Sequence, residues 1–339
     1  MSLRIAFVGF RHGHINGLYT VAQERDDLDV VAACEEDAET RATLAGVGIE
    51  VTHASYEAML NEAPCDIVAC GDYFGVRGER VIRALEHGKH VLCDKPLCIR
   101  LDELERIEEL ARENKLSVGC MLDLIDKPVM VTLRELIRRG DLGEVLSITV
   151  LGQHPLNYGS RPMWYFEEGK HGGTINDIGI HAIDALPWFT GHAIAEITAA
   201  RGWNGRIKEH PHFGDGAHLM LKLANGCGVI ADFSYFAPDA PGFAMPMYWR
   251  FTVAGSEGTV EAGINLDKAT LWPNDNSGAR EIELMDGRPN GYLDDFLADI
   301  AGMPPPEGLD TTRVIHSARV SLLAQQAANS ARAPLVLAG

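Results

Sequence analysis

Basic residues are scarce in this sequence. Its 339 residues carry 30 lysines and arginines against 48 aspartates and glutamates, a formal net charge of −18. An excess of negative charge on that scale repels nucleic acid and anionic membrane surfaces, so neither is expected as a partner. Long apolar runs are also missing, and none approaches the length of a transmembrane span. No basic, then apolar, leader precedes the first strand-like run at Leu3, so a cytoplasmic location is expected. The seven cysteines (Cys34, Cys65, Cys70, Cys93, Cys98, Cys120 and Cys227) form no C-x-x-C pair and are odd in number. That pattern argues against a disulfide framework and suits reduced thiols. Internal repeats and low-complexity segments are absent as well.

What the sequence does have is alternation. Leu3 to Val8 is a short apolar run that stops at Gly9, Ile15 to Ala22 follows at helical spacing, and Leu28 to Cys34 is apolar again before Glu35-Glu36-Asp37. Strand and helix signals continue to alternate as far as Met121, which predicts a doubly wound parallel sheet with ligands at the carboxyl ends of its strands. A helix that opens directly after the first strand leaves backbone N–H groups for a pyrophosphate. Glu35, at the tip of the second strand, suits a ribose hydroxyl pair and repels a 2′-phosphate, favouring NAD over NADP. The glycine fingerprint is incomplete: Gly9 and Gly13 are present, but Arg11 and His14 stand where further glycines belong, with His12 between them. On spacing alone the sheet fits either a dinucleotide or a nucleotide-free flavodoxin-like fold. Two loops at the same edge, Cys70-Gly71-Asp72 and Asp94-Lys95-Pro96, place polar groups and one lysine where a nicotinamide and its substrate would lie.

From Asp126 the pattern changes. A helix from Pro128 to Arg139 precedes strands with few helices between them: Glu144 to Gly152, Ile194 to Arg201, Gly216 to Leu223, Cys227 to Phe236, Tyr248 to Ala254, Gly258 to Ala262 and Ala269 to Pro273. Period-2 alternation of this kind predicts a large, mainly antiparallel open sheet. The expected domains are therefore residues 1–121 and 122–339, with a final helix over 312–328 that could pack back on the first. Within the second domain, Asp177 and His181 are at i and i+4, on one face of a helix. Hydride transfer from an alcohol requires a base for the hydroxyl proton and a positive donor on the oxygen, roles that histidine and lysine can fill. The same pair could equally be a capping aspartate and a packed histidine. Arg161-Pro162-Met163-Trp164-Tyr165-Phe166, together with His154, offers aromatic faces and hydrogen-bonding groups for a sugar, or ordinary packing. His12/His14 and His210/His212 share an i, i+2 spacing that would align both rings on a strand, but no third ligand is evident, so no metal is expected.

Asp94-Lys95-Pro96 and the Asp177/His181 helix, in that order and within this two-part pattern, resemble the Gfo/Idh/MocA oxidoreductases, the relatives of glucose–fructose oxidoreductase and inositol dehydrogenase. The resemblance covers essentially the whole chain. It implies a Rossmann domain followed by an α/β domain with a large open sheet, and dimers or tetramers formed through that sheet. It implies Lys95 on the reacting oxygen, His181 as general acid/base, and Asp177 binding substrate or assisting proton transfer. The implied activity is NAD-dependent hydride exchange with a secondary hydroxyl of a sugar, inositol or related polyol. The alternatives are a redox-neutral lyase or glycosidase that uses bound NAD, and a non-catalytic dinucleotide-binding sensor. Arg11, His12 and His14 depart from the family's glycine-rich turn, Gly71-Asp72-Tyr73 replaces the usual Thr-Pro-Asn, and Met121 to Lys127 lacks the usual arginine pair.

Overall fold

A computed structural model describes residues 2–330. The chain divides into two compact units. One takes residues 2–121 together with Gly169–Gly172 and Tyr292–Arg319, and the other takes Leu122–Glu168, Gly173–Gly291 and residues 320–330.

The first unit alternates strand and helix: β1 (Leu3–Val8), α1 (His14–Gln23), β2 (Leu28–Cys34), α2 (Ala38–Leu44), α3 (Tyr56–Glu62), β3 (Ile67–Cys70), α4 (Phe74–Glu86), β4 (His90–Cys93), α5 (Leu101–Asn114) and β5 (Val118–Cys120). The strands pair in the order β2-β1-β3-β4-β5, all parallel. Ile5, Ala6, Phe7 and Val8 have no exposed surface, as expected of a strand covered by helices on both faces. The strand order resembles a flavodoxin until one more pairing is counted. His53 forms a parallel bridge with Cys34, and the Thr52 and His53 amides donate to the Ala33 carbonyl. A residual edge strand therefore lies outside β2, which restores the dinucleotide-binding order and puts the switch point beside β1.

The second unit contains α6 (Pro128–Arg138), β6 (Val145–Leu151), α7 (Ile180–Thr190), β7 (Ile194–Trp203), β8 (Gly216–Leu223), β9 (Gly228–Asp232), β10 (Arg250–Gly255), β11 (Gly258–Gly263), β12 (Lys268–Pro273) and β13 (Arg280–Glu283). Its eight strands run β13-β12-β11-β10-β6-β9-β8-β7, antiparallel except for the β6–β9 pair. One face is apolar, with Leu219, Leu221, Val229, Ala231, Phe251 and Val253 buried. On the other face Met220, Ile230, Thr149 and Thr252 stand in register across four strands and are exposed. His210 and His212 lie in the loop between β7 and β8, so the strand geometry expected for their spacing does not arise. After the sheet come α8 (Gly291–Ile300) and α9 (Thr311–Asn329).

Candidate active site

In the first unit the expected cofactor residues come together around the end of β1. Gly9 has φ +75°, and a Cβ there would meet the Asp72 Cβ at 2.5 Å, so only glycine fits. The Gly71 amide donates to the Val8 carbonyl and the Asp72 amide to the Gly9 carbonyl, which lays the loop after β3 against the turn after β1. Cys70, the last residue of β3, is buried beneath this contact. Arg11 grips Asp72 with two bonds, 2.5 and 2.9 Å, and its guanidinium lies 4.5 Å from the centre of the Tyr73 ring. Arg80 reaches the same Asp72 carboxylate at 2.8 Å and Glu36 at 2.9 Å.

Glu35 is fully buried at the tip of β2. Its carboxylate accepts the Phe10 amide at 2.6 Å and the Asp37 amide at 2.8 Å, tying the turn to the second strand. Burial raises its pKa above the ordinary carboxylate value, against the pull of those two donors. At the N-terminus of α1, Gly13 brings no side-chain cap and leaves open space where a Cβ would stand. An uncapped helix start with an arginine beside it fits a pyrophosphate on the chemistry of its donors.

Lys95 is 5% exposed and follows Asp94, which has no exposure at all. Asp94 accepts from His12, from His14 at 3.2 Å and from the Arg77 guanidinium at 2.8 Å. Burial alone would raise the Asp94 pKa, but Arg77 and then the two histidines outweigh it and hold the carboxyl well below its usual range. Burial pushes His12 down to about 4 in spite of Asp94. The ionised carboxylate can only accept, so His12 donates through Nδ1–H as a neutral ring. Arg77 is itself fully buried and donates to the Gly71, Asp72, Asp94, Lys95 and Pro96 carbonyls, joining the loops after β3 and β4.

Sequence reasoning missed Arg77, and a signal for it existed. It lies on the same helical stripe as Phe74, Val81, Ala84 and Leu85, and a charge on an apolar face calls for a buried partner.

In the second unit Asp177 and His181 flank a change of helix type. Ile175–Gly179 is a π-helical turn that passes into α7, rather than the uniform α-helix their spacing suggested. Such turns re-aim side chains and recur at functional sites. The Gln325 side chain accepts the Ile175 amide at 2.9 Å and Ser321 bonds the Asn176 side chain at 2.8 Å, which fixes the turn from outside. The Tyr235 hydroxyl donates to Asp177, which is 3% exposed. His181 faces Asp123, with Nδ1 3.9 Å from a carboxylate oxygen, and packs edge-on to Trp249.

Arg161 bonds the Pro155 and Leu156 carbonyls and lies over the rings of Tyr165 and Tyr235. Trp164 is buried and stacked on Tyr165. His154 donates from Nδ1–H to the Gly152 carbonyl at 2.6 Å, and its ring meets Tyr248 and Tyr235 edge-on. Tyr235 thus links the expected aromatic loop to the expected helix, although nothing in the sequence distinguished it from other strand tyrosines. A cavity of about 290 Å³, lined by Asp123, Asp126, Lys127 and Arg288 among others, shares Asp123 with His181.

Residues 3–121 match the oxidoreductase family with an NAD-binding Rossmann fold, and residues 130–261 match the GFO/IDH/MocA C-terminal domain. The chain is 25% identical over 308 residues to the rhizopine catabolism protein MocA of Rhizobium meliloti, covering 89% of this chain and 88% of that protein. It is 29% identical over 210 residues to the 1,5-anhydro-D-fructose reductase of Ensifer adhaerens, covering 60% of this chain and 61% of the reductase. A solved structure of a putative oxidoreductase from Erwinia carotovora atroseptica superposes with a TM-score of 0.85 at 25% identity, over 97% of this chain and 99% of the other.

Proposed function

Because this chain belongs to the Gfo/Idh/MocA family of NAD-binding oxidoreductases, we propose that it exchanges a hydride with a secondary hydroxyl of a sugar, inositol or related polyol. The turn from Gly9 through Arg11, His12, Gly13 and His14 would hold the dinucleotide's pyrophosphate at the start of α1. Glu35, Cys70, Gly71 and Asp72, all buried, would shape the places for its ribose and nicotinamide half from behind, Glu35 by holding the Phe10 and Asp37 amides rather than by bonding the ribose itself. The carboxylates of Glu35, Glu36 and Asp37 favour NAD over NADP by repelling a 2′-phosphate. Bound nicotinamide supplies the hydride acceptor or donor.

The chain's own groups handle the rest. The Lys95 ammonium hydrogen-bonds the reacting oxygen and stabilises charge that builds on it. The His181 imidazole takes up and returns the hydroxyl proton. Asp177, held by Tyr235, accepts from a neighbouring substrate hydroxyl or assists that proton transfer. His154, Arg161 and Trp164 form the substrate wall. Exposed apolar residues on the open face of the second sheet support a homodimer or homotetramer built through it. The seven cysteines, none of which forms a disulfide, suit a reducing cytoplasm.

The observation that carries this reading is the second-unit cluster. A histidine faces a carboxylate that also lines a cavity, with Asp177 oriented by a buried tyrosine. A screen of sugars and inositols for NADH absorbance, run in parallel with NADP, tests the activity. Lys95→Ala and His181→Ala should each lower turnover by at least about a hundredfold while sparing NAD binding; unchanged turnover in either refutes its role.

A further inference from the structure

We propose that His12, His14 and Asp94 form a binding site for a first-row divalent cation, zinc foremost, within the first unit. Sequence spacing offered only the two histidines; the fold brings in Asp94 from the end of β4 as the third ligand. One ligand atom from each residue lies within 4.8 Å of the other two. Two imidazoles and a carboxylate make a nitrogen–oxygen set suited to zinc and its neighbours.

With zinc–ligand bonds of roughly 2.0–2.2 Å, tetrahedral ligands stand about 3.4 Å apart. His14 Nδ1 and Asp94 Oδ1 are already 3.2 Å apart. The His12 ring lies 4.4 Å from the His14 ring, centre to centre, and its Nδ1 contacts the other Asp94 oxygen. An ion would take over the place of the proton that His12 now donates.

The surroundings hold these groups in place. Arg77 donates to Asp94 Oδ2 at 2.8 Å, orienting the carboxylate and leaving Oδ1 turned toward His14. The carbonyls of Gly71, Asp72, Asp94, Lys95 and Pro96 accept from the same guanidinium and hold it in place behind the carboxylate. Phe74 packs edge-on against His12. The His14 side chain is 53% exposed, which gives the ion a path in and leaves a fourth position for water. Since Asp94 immediately precedes Lys95, an occupied site would pin the turn after β1 to the loop that carries the lysine.

His12 and His14 also belong to the turn proposed to hold the pyrophosphate, so zinc binding is measured with neither dinucleotide nor polyol present, which keeps its failure distinct from failure of the proposed reaction. The full-length protein, stripped with a chelator and dialysed into metal-free buffer, is titrated with zinc chloride against a chromophoric chelator, and its zinc content is measured by mass spectrometry. One zinc per chain is expected. His14→Ala, at an exposed position that tolerates truncation, should weaken zinc binding by at least about tenfold while leaving the melting temperature of the metal-free protein unchanged. Asp94→Asn should also weaken it, and His14→Gln provides a second exposed variant. A wild-type protein that takes up no stoichiometric zinc overturns the site. So does an affinity that survives His14→Ala, or one lost instead in a His210→Ala/His212→Ala double variant.

Discussion

A carboxylate without solvent contact at the tip of a strand is an unusual anchor, and Glu35 serves as one by accepting the Phe10 and Asp37 amides. Burial nonetheless raises its pKa, so the folded protein holds that proton more tightly than the unfolded chain does. The sign follows from linkage. Its contribution is fully present below the unfolded glutamate value, about 4.3, and is lost as pH rises through the raised folded value. Glu35→Gln removes the titration. In urea unfolding at a series of pH values, the wild type should lose stability relative to Glu35→Gln as pH rises across that window; parallel profiles would argue against a raised pKa. At this scale the sequence was legible where residue type alone decides, as at Gly9, whose positive φ favours glycine. It was illegible where a partner decides. Arg77 and Asp94 lie seventeen positions apart in the chain, and only the packed fold shows that one neutralises the other.

The π-helical turn at Ile175–Gly179 shows why elements were only partly readable. A helical period predicts that Asp177 and His181 share a face, yet nothing in the residues between them announces the extra residue in the turn. Its support comes from α9, where Gln325 accepts the Ile175 amide and Gly173 makes room for that side chain. Gln325→Met fills the space but leaves the amide without its acceptor. It should destabilise the protein by about 1–3 kcal/mol, measured by denaturant unfolding. Strands followed the same logic. β1 and β2 are apolar but for Arg4 and Asp29 near their starts and easily recognised, whereas β13 (Arg-Glu-Ile-Glu) pairs with β12 at an edge, where charge is tolerated and alternation is lost. The bridge at His53 was likewise too short to read, although it separates the two candidate strand orders.

For the molecule as a whole, alternation followed by period-2 runs was enough to anticipate a parallel sheet and a larger antiparallel one, because burial on both faces or on one face sets those patterns. Assembly leaves a weaker trace, since it depends on which face stays uncovered after folding. Ile230 is 55% exposed and in register with Thr149 and Met220. If the open sheet joins copies of the chain, Ile230→Lys should shift the protein toward monomer in light scattering coupled to gel filtration. An unchanged mass would place any interface elsewhere. Arg77 has a consequence at this scale too. One guanidinium fastens the loop that shapes the dinucleotide turn to the loop that ends in Lys95, so whatever settles the first also settles the second. Under the proposed function, a dinucleotide settling on that turn would also set the lysine before any substrate reached it.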